Sequence, residues 1–132
     1  MSNESVVRAI YEAISRRDYD AGFALLDEEF EWLEPERALL GRRHTGIDEA
    51  RRAIERWVEV FDDFSIEPEH FKARGERVAV SVRQRARGAV SGAEIEIQIG
   101  HLWTVRNSKV VALEVFPARQ DAYEAAALPA AG

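Results

Sequence analysis

The chain has 132 residues, 46% of them hydrophobic and 32% charged, and its 18 Lys and Arg against 24 Asp and Glu leave a formal charge of -6. That size suits one domain around one core, expected to span 1–132, and no apolar run approaches the ~20 residues that a membrane helix needs. The acidic balance argues against nucleic acid as a partner, since phosphate binding draws on Lys and Arg, and the lack of cysteine removes disulfides, thiolate catalysis and thiolate metal sites together. The N-terminus shows no basic start followed by an apolar core and a cleavage site, so the expected compartment is the cytoplasm.

In chain order, Ser2 or Asn3 caps a first helix in which Val7, Ile10, Tyr11 and Ile14 recur at three- and four-residue spacing and which ends near Arg17. Asp18 or Asp20 caps a shorter helix through Phe23, Leu26 and Asp27. Glu29 to Glu34 reads as a short strand, with Phe30, Trp32 and Glu34 on one face. Pro35 to Arg43 is a loop or a very short strand, because Pro and Gly punctuate it and no period persists. Thr45-Gly46 then opens a long helix whose stripe is Ile47, Ala50, Ile54, Trp57, Val58 and Phe61, with Asp48 and Glu49 favourably placed in its first turn.

Phe64 to Phe71 predicts a strand that Pro68 assigns to an edge or a bulge. After a turn at Gly75-Glu76, Val78, Val80 and Val82 alternate with Arg83, Arg85 and Arg87 on the opposite parity. Beyond a Gly-containing turn, Ile95, Ile97 and Ile99 alternate with Glu94, Glu96 and Gln98, so the arginines share a face with the carboxylates. The apolar face, which also carries His101 and Trp103, meets the helices. A tight turn over Arg106 to Lys109 closes the last hairpin, and an alanine-rich helix from Arg119 to Leu128 ends at Pro129. Helices followed by a run of antiparallel strands make an α+β plan, with the helices on one face of a curved sheet.

If the last hairpin reverses symmetrically about Asn107-Ser108, Trp103 faces Ala112, His101 faces Glu114 and Ile99 faces Phe116. His101 beside Glu114 is the sharpest constellation, because a carboxylate raises the imidazole pKa, fixes its tautomer and makes an acid or base usable near neutrality. The plain alternative is that His101 closes a hydrogen bond inside the sheet. A bulge near Gly100 would instead turn His101 outward and bring Gly100 and Leu102 in. Glu34 is either a base with a raised pKa or the partner of a buried cation such as Arg37 or Arg42. His44 and His70 read as surface residues. Trp32, Trp57, Phe61, Trp103 and Phe116 line an apolar cavity or fill the core. No His or carboxylate set stands at metal-ligand spacing and no Gly-rich loop joins strand to helix, so neither metal nor cofactor is expected. Arg83, Arg85 and Arg87 opposite Glu94 and Glu96 read as a solvated ion-pair ladder. Leu102, Thr104, Val111, Leu113 and Val115 continue that outer face with apolar groups, which points to a homodimer through the convex side of the sheet.

The helix-to-strand passage AISRRDYDAGFALLDEEFEWLEP, the helix GIDEARRAIERWVEVFDDF and the hairpin GHLWTVRNSKVVALEVF with its following ARQDAYEAAAL resemble the SnoaL-like group of the nuclear transport factor 2-like superfamily over nearly the whole chain. The resemblance implies a cone in which a curved antiparallel sheet wraps around the long helix, closed at one apolar end and open at the other. It also implies a small hydrophobic ligand in that mouth. Polyketide cyclases, ketosteroid isomerases, epoxide hydrolases, dehydratases and proteins without enzymatic activity share this fold, so the resemblance leaves the reaction open. The isomerase pattern puts Glu34, before Pro35, at its general base. It puts Ile10 at its oxyanion tyrosine, with Tyr11 one position on, and Gly100 at its protonated aspartate. The resemblance therefore implies a base at Glu34, with Tyr11 near the ligand, but not the isomerase's oxyanion hole. The polyketide cyclase pattern of an aspartate with a supporting histidine is not reproduced residue for residue.

Overall fold

The computed structural model describes residues 2–35 and 42–127. Its elements are α1 (Asn3–Ser15), α2 (Tyr19–Phe23), β1 (Leu26–Leu33), β2 (Arg43–Thr45), α3 (Gly46–Val60), β3 (Phe61–Arg74), β4 (Arg77–Gly88), β5 (Glu94–Arg106), β6 (Lys109–Phe116) and α4 (Arg119–Ala127). The Leu39-Leu40-Gly41 stretch, Arg37 and the expected helix end at Leu128-Pro129 lie outside the described residues.

Ser2 caps α1 through its side chain, which accepts from the Ser5 amide. At the other end Arg17 takes a left-handed conformation at φ 59°, and the Arg17 and Asp18 amides donate back to Ile14 and Ala13, closing the helix with a reversal usually given to glycine. Asp18 caps α2, which stops at Phe23. Leu26 and Asp27, expected in that helix, open β1 instead: Leu26 pairs with Val110, so a sheet partner outweighs helical spacing.

Six strands form one curved, open sheet in the order β2-β1-β6-β5-β4-β3. Pairing is antiparallel except between β1 and β6. Strand β3 is an edge and shifts register between Pro68 and His70, so Pro68 sits both at an edge and beside a bulge, where its missing N–H does no harm. The inner face carries Val78, Val80 and Val82 opposite Trp103, His101 and Ile99. Val6, Val7, Ile10 and Tyr11 of α1 pack on it, and the core valines at 6, 7, 78, 80, 82, 105 and 110 are fully buried. Each such side chain contributes about 1.5–3 kcal/mol through burial.

Helix α4 departs from the expected plan, in which all helices share one face. It packs on the outer face, where Ala122 and Ala126 meet Ala79 and Leu102. The Tyr123 hydroxyl donates to the His70 carbonyl at 3.0 Å and bonds the Ser81 hydroxyl at 2.7 Å. Leu102 is therefore covered within the chain, while Leu113 and Val115 belong to the inner core cluster, so the expected apolar patch on the outer face is largely absent.

The last hairpin also departs from the symmetric register. Asn107 and Ser108 form the turn with φ 51° and 62°, and next to it Val105 faces Val110, as symmetry about Asn107-Ser108 requires. Val111 then bulges out of β6. Beyond it Thr104 faces Ala112, Trp103 faces Leu113, Leu102 faces Glu114, His101 faces Val115 and Gly100 faces Phe116. The other strand keeps its expected parity: Arg85 faces Glu96 and Arg87 faces Glu94. Arg85 lies 3.3 Å from Glu96 and 3.6 Å from Glu67, and Arg83 reaches Glu69 at 3.2 Å, so the ladder crosses three strands.

Candidate active site

The inner face of the sheet, α1, α2 and α3 enclose a cavity of about 620 Å³. Ala50, Ile54 and Trp57 of α3 reach it, which explains why the apolar stripe of this helix is only half-buried instead of sealed in the core. Val58, expected in the stripe, is 48% exposed. Phe23, Phe30, Trp32, Phe64, Ile99 and Leu113 add apolar wall. The ionisable side chains among the described lining residues are Glu34, His101, Tyr11 and Tyr19.

Glu34 follows the end of β1, on the same face as Phe30 and Trp32. The Trp32 indole N–H donates to Glu34 Oε1 at 2.7 Å, and the Glu34 amide donates to the Arg42 carbonyl at 2.7 Å. Burial raises the Glu34 pKa to about 7, partly opposed by the Trp32 hydrogen bond, which favours the carboxylate. Among the described residues no cation pairs with it. His44, expected at the surface, is buried: β2 pairs with β1, His44 faces Trp32, and the two rings lie 5.1 Å apart. Burial lowers the His44 pKa, helped by the charge of Arg56 and opposed by Glu49. His70 is exposed as expected.

His101 points inward as expected, but it does not meet Glu114. The bulge at Val111 moves Glu114 opposite Leu102, which lies on the outer face under α4. The Tyr11 hydroxyl, 2.7 Å from His101 Nδ1, stands in place of the carboxylate, and the Trp103 indole N–H donates to the same hydroxyl at 2.9 Å. The hydroxyl accepts from Trp103, and His101 Nδ1 is its other partner among the described residues; with the Tyr11 proton given to Nδ1 no donor of the cluster is left without an acceptor, and the imidazole then carries its own proton on Nε2. Burial lowers the His101 pKa to about 3, so the ring is neutral at pH 7, and burial raises that of Tyr11 well above its ordinary value. The outward alternative for His101 is excluded by Gly100, which faces α4.

Of the residues expected around the ligand, Tyr11, Trp32, Trp57 and Trp103 line the cavity. Phe61 does not; it packs on Trp57 with ring centroids 4.8 Å apart at the corner where α3 passes into β3. Phe116 does not either, since the shifted register places it in the cluster under α4. The role of the Tyr11 hydroxyl was not legible, because its partners lie 90 and 92 residues away in sequence. The switch of large apolar residues in β6 from Val110 to Leu113 and Val115, skipping Ala112 and Glu114, is the sequence signal that marks the bulge. No group of three or more metal-ligating side chains occurs among the described residues.

The fold is thus a cone, a curved sheet with helices over a largely apolar cavity whose described wall holds one carboxylate and one histidine. The SnoaL-like domain model matches residues 7–113, and the chain belongs to this family. Among solved structures, an NTF2-like protein of unknown function from Burkholderia pseudomallei is 26% identical with a TM-score of 0.81, over 97% of this chain and 100% of that one. An NTF2-like protein from Burkholderia thailandensis is 23% identical with a TM-score of 0.84, over 98% and 99%. TerC, crystallised with polyporic acid, is 22% identical with a TM-score of 0.79, over 92% and 95%. Comparison with curated proteins returned no match. Among the described residues no helix is long and apolar enough to cross a membrane.

Proposed function

We propose that this protein binds a small hydrophobic molecule in the cone and moves a proton on it by cofactor-free acid/base catalysis, as an isomerase, cyclase, dehydratase or hydrolase would. The observation that carries the reading is Glu34, the one carboxylate among the described residues of a largely apolar cavity wall, with its pKa raised to about 7. A base poised near the working pH is populated in both forms, which suits proton abstraction and return. His101 is too reluctant to ionise to share that task, and Glu114 is on the other face. TerC, with polyporic acid in its crystals, supports a hydrophobic ligand by likeness of fold alone.

The test is exchange of the α-protons of 1-tetralone, a bicyclic ketone that fits the cavity volume, for deuterium, followed by NMR. The wild type accelerates exchange with a rate that rises through about pH 7 as Glu34 ionises, and Glu34→Gln removes about 10²- to 10⁴-fold. The Trp32 hydrogen bond to Glu34 favours a second reading, a non-catalytic binding or dimerisation domain in which the carboxylate only satisfies a buried indole. Binding of the ketone without accelerated exchange establishes that reading. Homodimerisation through the outer sheet face belongs to the same proposal, with Thr104, Val111 and the ion-pair ladder as its remaining surface, and sedimentation equilibrium tests it.

A further inference from the structure

Resting on the reading of the cone as a ligand site, we infer that His101 is its fixed hydrogen-bond donor, held as the neutral Nε2–H tautomer by Tyr11, and that the ligand it selects is a neutral molecule with a carbonyl oxygen. Three observations carry this. Both Nδ1 and the Tyr11 hydroxyl are spoken for: they lie 2.7 Å apart and Trp103 Nε1 donates to the hydroxyl at 2.9 Å, so Nδ1 is the acceptor among the described residues that the buried Tyr11 proton has. Nε2 has no protein partner among the described residues. Yet Arg83 Nε is the one side-chain nitrogen or oxygen among them that is both sealed and unpartnered, so Nε2 opens on the space that the ring lines. Finally, among the described residues lining the cavity there is no Arg or Lys and the one carboxylate is Glu34, so none of them compensates an anionic ligand.

The three rings pack against one another. The Tyr11 and His101 rings are parallel within 6°, and Trp103 stands edge-on to both, at 5.6 Å from Tyr11 and 5.9 Å from His101. Tyr11 is thus a positioning residue that acts through His101. A neutral imidazole donating to a carbonyl oxygen polarises it without giving up its proton, and the bond strengthens as negative charge develops on that oxygen.

The tautomer is read first, by long-range proton–nitrogen NMR of the imidazole at pH 7, assigned with His101→Gln. A pyridine-like Nδ1 and a pyrrole-like Nε2 are expected in the wild type, with Nδ1–H appearing in Tyr11→Phe; an Nδ1–H form in the wild type overturns the proposal even if Tyr11→Phe does not fold. Binding is then compared, by tryptophan fluorescence, for 2-acetylnaphthalene, 2-ethylnaphthalene and 2-naphthoate. The ketone is expected to bind about three- to tenfold more tightly than the hydrocarbon, and to shift the Nε2 signal, with the preference lost in His101→Phe. Equal binding of ketone and hydrocarbon overturns the role of His101 while the cavity reading stands. Tighter binding of the naphthoate than of the ketone overturns the neutral class. Binding of none of the three overturns the cavity reading and the donor role with it.

Discussion

The β-carbon that Gly100 lacks would lie 2.7 Å from the β-carbon of Ala122 and 2.9 Å from the α-carbon of Arg119. Helix α4 therefore rests directly on the back of β5, on the strand face opposite His101. Because one of the neighbours is backbone, neither side can give way without moving the helix. Gly100→Ala is expected to cost about 1–3 kcal/mol, seen as a lower urea midpoint at unchanged m. An unchanged midpoint would mean that α4 does not hold this position in solution.

Glu34 and His101 bias stability against pH in opposite directions. The folded pKa of Glu34 is raised, to about 7, so the native state holds more protons than the unfolded chain between about 4.5 and 7, and stability falls as pH rises through that window. His101 is depressed to about 3 from 6.5, so the unfolded chain holds more protons there, and stability is lost as pH falls from 6.5 towards 3. Glu34→Gln is expected to remove the loss above pH 4.5, a gain of up to about 3 kcal/mol at pH 8. His101→Phe removes the loss on the acid side. Urea titrations of both variants from pH 4 to pH 8 check the signs; a Glu34→Gln difference that does not grow with pH would place this carboxylate in water.

Asn107 and Ser108 make a turn that requires positive φ at both positions, and Ser108 holds φ 62° with a β-carbon. Ser108→Gly relieves that strain and is expected to stabilise by about 0.5–1 kcal/mol, or about 2–4 °C in Tm. Calorimetry reads it. A fall in Tm would show that the serine side chain contributes more than the strain it imposes.

The ladder of Arg83, Arg85 and Arg87 has many close contacts and little expected energy, since Arg85 and Glu96 are 51% and 53% exposed. Glu96→Gln should cost less than about 1 kcal/mol, and about 1 M salt should erase the difference. A larger, salt-resistant loss would indicate that a partner covers this face.

α1, α3, the strands of the long meander and the edge or bulge at Pro68 were legible, because 3.6- and 2-residue periods report which side of an element is buried, while the facing of His101 was legible as one of two alternatives. The same alternation places Glu34, Trp32 and Trp103 on the face that the helices cover. The end of α2 was not legible, since Leu26 fits a helix locally and only its pairing with Val110 makes it a strand. The parity of β6 was only half legible, as the bulge leaves a trace in residue size but no turn residue to announce it.

Sequence alone therefore determined the fold class and, for α1, β1 and β4, which face is buried, since these follow from patterns that each element carries within itself. Tertiary structure decided the partners: that one extra residue at Val111 separates His101 from Glu114, that α4 needs Gly100 beneath it, and that Tyr11 takes the place of a carboxylate. Those contacts join residues far apart in the chain, where a shift of one position along a strand changes the partner without changing the pattern.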